Sequence, residues 1–233
     1  MTAASGHVVE TFKDAVQVDV PHEVLLKARI KATYYQNVVL LRPGQYRLDV
    51  GVRDVNGNRV GTSYLSVPVP EFVPGEMTTS SLVLSDKMGP ASQENAPGTG
   101  HFLVGKTYVR PLVPAAEGSP INFSRDQNIN VWMQVYELAV DRKTNRPSVS
   151  VEYDVAKVAD GKVEYDVAKV GNVKTEIHIL ESADDMGNIG DQMTLKKTLS
   201  TANLQPAEYN FRIKVHDNIS HQVFERSTTF TLE

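Results

Sequence analysis

Polar and apolar residues alternate with period two through most of this 233-residue chain. That pattern commits the chain to β-strands before any other property is weighed. In "FKDAVQVDV", Phe12, Val16, Val18 and Val20 share one face and Lys13, Gln17 and Asp19 the other. "YRLDVGVRD" sets Tyr46, Leu48, Val50 and Val52 against Arg47, Asp49 and Arg53. "YNFRIKVHD" sets Tyr209, Phe211, Ile213 and Val215 against Asn210, Arg212, Lys214 and His216. Strands of this kind bury one face and wet the other. "INVWMQVYELAV" is apolar on both, with Trp132, Tyr136 and Leu138 opposing Val131, Met133 and Val135, which predicts a strand in the middle of a sheet. One segment, "PHEVLLKARI" (21–30), carries helical spacing: Pro21 suits a first helical position, and Val24, Leu25 and Ala28 share a face.

Turn chemistry punctuates the alternating runs: Asn56-Gly57, Asp160-Gly161, "RPG" at 42–44, "NRPS" at 145–148 and a loose "MGPASQENAPGTG" at 88–100. "HDNISH" (216–221) reads as a hairpin turn between two strands. Many short strands with regular turns predict a sandwich or barrel.

Two internal likenesses organise the chain. "LRPGQYRLDVGVRD" (41–54) and "LQPAEYNFRIKVHD" (204–217) share Leu, Pro, Tyr, Val and Asp at the same spacing, and a further strand follows each. In immunoglobulin-like and fibronectin-like sandwiches a Tyr beginning the penultimate strand turns its hydroxyl back to the preceding corner. Tyr46 and Tyr209 are placed to do this in two successive domains, with "VPEFVPGEM" (69–77) as the boundary. The second likeness is an identical copy, "VEYDVAKV" at 151–158 and 163–170, joined by "ADGK". It is too short for a solenoid unit. As an extended hairpin with Gly161 in a bulge, it would set Val155 beside Tyr165 and Tyr153 beside Val167, leaving Glu152, Asp154, Glu164 and Asp166 on a solvated face.

Composition narrows the chemistry. With no cysteine there are no disulfides, thiol nucleophiles or thiolate metal sites. The net charge of −4 is spread along the chain with no basic stripe, which excludes nucleic acid as an expected partner. No apolar run approaches the roughly 20 residues that span a bilayer, so membrane insertion is not expected. At 41% hydrophobic residues the chain can build a sizeable core, and its length predicts two domains or one large β domain.

"GHFLVGKT" (100–107) matches the phosphate-loop pattern letter for letter. That loop needs a helix opening at its Lys-Thr so that the helix N-terminus meets the phosphates. Here the free positions, His101 to Val104, are strand formers, and Pro111 and Pro114 follow where a helix would run. Gly105 reads as a strand irregularity and Lys106 as a solvated side chain. The histidines at 7, 22, 101, 178, 216 and 221 have no paired metal spacing, and no Gly-x-Ser-x-Gly elbow singles out a serine. The acidic loop "ESADDMGNIGDQ" (181–192) could gather Asp184, Asp185, Asn188 and Asp191 around calcium but departs from the twelve-residue calcium loop. No catalytic, cofactor-binding or metal residue is therefore expected, and no cofactor.

The runs "LRPGQYRLDVGVRDVNGNRVGTSYLSVPVPEF", "SSLVLSDKM" and "INVWMQVYELAVDRKTNRPSVSVEYDV" resemble the C-terminal β-rich region of large exported bacterial proteins described as acidobacterial VWFA-related proteins. They are similar also to the β-rich part of GWxTD-domain proteins. The resemblance covers most of residues 20–160 and implies a bacterial, extracytoplasmic protein. The Asp-x-Ser-x-Ser metal motif of a von Willebrand A domain and any Gly-Trp-x-Thr-Asp are absent, so no metal site or adhesion residue is carried over.

The expectation is an all-β chain of two immunoglobulin-like or fibronectin-like sandwiches in tandem: residues 1–72, small and bearing the short helix, and residues 73–233, larger and bearing the extended hairpin 151–170. The expected role is a non-catalytic interaction or structural module in the periplasm, at the cell surface or secreted, binding a protein or polysaccharide partner. The alternative is a self-assembling surface or filament subunit, a homo-oligomer using strand edges and the N-terminal segment.

Overall fold

The computed structural model describes residues 1–15, 35–91, 102–104, 106–114, 119–158, 175–182 and 190–233. The expected helix at 21–30, most of the acidic loop and the second copy of the repeat lie outside the described residues. Everything described is strand, turn or irregular, with no helix. The chain divides into two compact units, Met1–Val73 and Pro74–Glu233.

The first unit holds β1 (Thr2–Ala3), β2 (Gly44–Asp54) and β3 (Arg59–Val69), in that order across one sheet. β2 and β3 form an antiparallel hairpin with unbroken register from Gly44↔Val69 to Asp54↔Arg59. Its turn is made by Asp54, whose Oδ1 accepts the amides of Asn56 (3.1 Å) and Gly57 (2.8 Å). A Cβ on Gly57 would stand 2.3 Å from Asp54 Oδ2, so a larger residue there would make that carboxylate shift. At the other end of β2 the Tyr46 hydroxyl donates to the Arg42 carbonyl at 2.8 Å.

The second unit is β-sandwich-like, two sheets sharing one core. One sheet runs β12 (Met193–Leu199), β9 (Ile129–Tyr136), β5 (Val83–Pro90), β7 (Thr107–Pro111), β6 (Phe102–Val104), with β4 (Thr78–Thr79) also on β9. The other runs β11 (Thr175–Ser182), β10 (Val149–Lys157), β13 (Ala207–Asp217), β14 (Val223–Leu232), β8 (Ile121–Phe123), the last pair parallel. β9 is a central strand, as its two apolar faces predict, and Ile129, Val131, Met133 and Val135 are fully buried. Val151, Tyr153, Phe211, Ile213 and Val215 meet them from the other sheet in one cluster. Tyr209 stacks on Phe230 with ring centroids 5.4 Å apart and donates its hydroxyl to the Gln205 carbonyl at 2.7 Å. Residues Asp217 to Gln222 form the turn between β13 and β14, closed by the Asp217 amide on the Gln222 carbonyl.

The expected pairing within the repeat is corrected by the partners of β10. Tyr153 lies opposite Ile179 and Val155 opposite Ile177 on β11, while the other edge of β10 pairs with β13 from Val149↔Asp217 to Lys157↔Tyr209. Both edges are taken, so 151–157 does not pair with 163–170 as an extended hairpin. Ile177 and Ile179 alternate with the same period as Tyr165 and Val167, so either run suited the core-facing side of β10, and the larger sheet selected the more distant one.

Candidate functional site

The phosphate-loop pattern resolves into a β-hairpin. β6 and β7 pair with Val104 opposite Thr107, Lys106 sits exposed in the turn, and a strand runs where a phosphate loop would place a helix. Of the acidic loop, Asp191 is described and exposed, and its carbonyl accepts the Leu138 amide at 3.0 Å. Among the described residues no three His, Cys, Asp or Glu gather as a metal would require. No helix among them is long and apolar enough to cross a membrane.

The groups that do converge sit on the face of the β9 sheet turned away from the core. The register between β5 and β7 slips between Ser85↔Pro111 and Lys87↔Arg110, making Asp86 the extra residue of a β-bulge. Ser85, fully buried, holds the bulge: its hydroxyl donates to the Lys87 carbonyl at 2.5 Å and accepts the amides of Lys87 (3.0 Å) and Arg110 (3.2 Å). The bulge aims Asp86 at Arg110, whose Nε donates to Oδ1 at 2.7 Å while Nη2 engages Oδ2. The Asp86 side chain is 5% exposed and Arg110 24%, so this two-pronged pair is largely out of water. Removing either partner costs about 3 kcal/mol, since the other charge is left without its counterion.

Around this pair lies a depression of about 630 Å³ open to solvent. Asn130 on β9 lines it, donating to the Ser85 carbonyl (3.2 Å) and accepting from the Thr198 hydroxyl on β12 (2.8 Å). Tyr108 lines it from β7; Gly89 opposite leaves room for the ring, which a Cβ there would approach to 2.8 Å. Asp126, Gln127 and Asn128 come from the loop before β9, anchored by the Thr201 hydroxyl on the Gln127 carbonyl at 2.7 Å. Amides, hydroxyls, carboxylates, a guanidinium and one aromatic ring can grip a hydroxyl-rich surface; an open polar hollow of this kind does not exclude water.

A second polar cluster corrects the sequence reading. Asp154, expected on a solvated face, is fully buried. Its Oδ1 lies 2.7 Å from His178 Nδ1, and its Oδ2 accepts Arg212 Nη2 (2.7 Å) and Nε (3.1 Å). β10 lies between β11 and β13, and the longer side chains of those neighbours close over the short carboxylate. Alternation reveals the face of Asp154 but not the residues beside it. Nearby, Lys197 on β12 pairs with Glu181 on β11 and stands over the Tyr153 ring, 5.9 Å from its centroid. Burial, reinforced by the Glu181 carboxylate, pushes the Tyr153 phenol well above its ordinary pKa, and its hydroxyl finds no hydrogen bond of good geometry. Both clusters tie strands together.

No family model and no curated protein matches the chain. Among solved structures it is similar, at 9% identity and a TM-score of 0.27, to one described as "Functional and Structural Characterization of a beta-Glucosidase Involved in Saponin Metabolism from Intestinal Bacteria". The likeness covers 66% of this chain and 16% of that one, and no residue role is carried over from it.

Proposed function

We propose that this chain is a non-catalytic interaction module of the immunoglobulin-like or fibronectin-like kind, working outside the cytoplasm, and that the depression around Asp86 and Arg110 receives a polysaccharide. The carrying observation is the bulge, which breaks the β5–β7 ladder to build a rigid polar floor beside Tyr108. A sugar chain offers hydroxyls to amides and carboxylates and C–H faces to an aromatic ring, and those are the groups this hollow presents. Support for the fold type comes from Tyr46 and Tyr209, each bonded to the carbonyl four residues upstream in the manner of a tyrosine corner. Support for the location comes from the resemblance to exported bacterial proteins.

Glycan-array screening followed by calorimetry of the full chain tests the reading. Tyr108→Ala and Asn128→Ala should each weaken the best glycan about tenfold, or 1.4 kcal/mol. A chain that binds no glycan, or binds one equally well with both substitutions, refutes it.

A further inference from the structure

We propose that β2 is a self-association edge, to which a second copy of this chain adds its own β2 antiparallel around a two-fold axis at Gly51. Among the described residues, β1 covers only Tyr46 and Arg47 of that edge, leaving Leu48 to Arg53. The Ala4 amide donates to the Gln45 carbonyl at 3.0 Å, so odd-numbered residues of β2 turn their backbone groups to the β1 side. Asp49, Gly51 and Arg53 therefore present N–H and C=O groups along the uncovered stretch.

The two edges of the hairpin are not alike. Pro68 stands opposite Gln45, so by the same alternation its missing N–H falls on the outer edge of β3 and blunts it. The β2 edge has no proline and no bulge.

Its sequence is also complementary to itself. Antiparallel about Gly51, Val50 of one copy meets Val52 of the other and Asp49 meets Arg53, so next to the axis apolar faces apolar and carboxylate faces guanidinium, while Leu48 meets Asp54 at either end. At the axis Gly51 meets Gly51. A Cβ there would touch nothing within 4 Å among the described residues, so none of them requires glycine, whereas the close approach of a second backbone suits it.

The second unit shows what such an edge accepts. Offset by 163 positions, β13 repeats β2, and its corresponding edge carries β10 antiparallel, with Val151 opposite Val215 and Tyr153 opposite Ile213. In β2 the corresponding residues, Val52 and Val50, remain 65% and 42% exposed.

The test uses the full chain, whose lack of cysteine makes an introduced one unique. Gly51→Cys should oxidise to a covalent dimer, since hydrogen-bonded antiparallel partners stand about 5.5 Å apart at Cα, within disulfide reach. Tyr64→Cys on β3 should stay monomeric under the same oxidant. In sedimentation velocity, Asp49→Arg or Arg53→Asp alone should weaken association on the order of tenfold, and the double exchange should restore it. A chain that stays monomeric at every concentration and does not cross-link overturns the proposal. So does a dimer indifferent to both charge changes, or one that the double exchange fails to rescue.

Discussion

Tyr46 and Tyr209 each donate a hydroxyl to the carbonyl four residues upstream, and Asp54 and Asp217 each accept the amides two and three residues downstream. The β2–β3 and β13–β14 hairpins thus share their pins and the length and alternation of their first strands. They differ in what lies over them. Phe211, Ile213 and Val215 are sealed in the core of the second unit, while Val50 and Val52 stand open in the first. Local sequence builds the hairpin, and burial comes from neighbours that the hairpin does not encode.

The sharpest way to break the comparison is to shorten one apolar residue in each. Ile213→Ala should destabilise its unit by about 2–5 kcal/mol, through lost transfer energy and the cavity left behind. Val50→Ala should stay within about 0.5 kcal/mol, as an exposed substitution does. Hydrogen exchange of the full chain reads each strand separately. If Val50→Ala matched Ile213→Ala, the two faces would be equally covered in solution and the contrast would fail.

The aspartates come next. Burial works to raise the pKa of Asp217, but hydrogen bonds from the Ala139, Ser220 and Ile219 amides and the Ser220 side chain outweigh it, holding the carboxyl below its ordinary value. Oδ2 takes Ala139 at 2.8 Å while Oδ1 takes Ile219 and Ser220. Asp217→Asn keeps one acceptor and turns a donor toward Ala139, and should cost about 2 kcal/mol at neutral pH. Because the folded pKa is depressed, this stabilisation is full above the unfolded value of about 4 and fades as pH falls through the folded one. The gap between variant and parent in urea melts should therefore narrow below about pH 4. At Asp54 both turn bonds fall on Oδ1, so Asp54→Asn should change stability by only a few tenths of a kcal/mol.

The smallest contrast between the two hairpins belongs to the tyrosine hydroxyls. Tyr209→Phe leaves the Gln205 carbonyl without its donor in a part-buried place and should lose about 1 kcal/mol. Tyr46→Phe exposes the Arg42 carbonyl to water and should lose less than half of that. Equal losses would mean that the first hairpin is shielded in solution, as association through β2 would make it.

Much of the fold was legible in the chain. The alternation marked β2, β9 and β13, the paired Tyr and Asp marked where β2 and β13 begin and end, and Pro111 and Pro114 ruled out the helix that a phosphate motif suggested after Thr107. The candidate site was not legible. The bulge at Asp86 depends on the register between β5 and β7, and Tyr108, Asn130 and Asp126 meet only because three separate segments are laid side by side. Nothing in "SVEYDV" distinguishes Asp154 from its neighbour Glu152, yet one is fully buried between Arg212 and His178 and the other is partly exposed.

By itself the sequence determined the period, the reversals and the local pins, because these rest on side chains within four residues of one another and on backbone preferences that travel with each residue. Only the tertiary structure decided that β10 pairs with Ile177 and Ile179, that Asp154 is closed from water, and that one of two matching hairpins buries Ile213 and Val215 while Val50 and Val52 of the other stay exposed among the described residues. Burial, register and electrostatic environment belong to the packed neighbours, which lie far away along the chain.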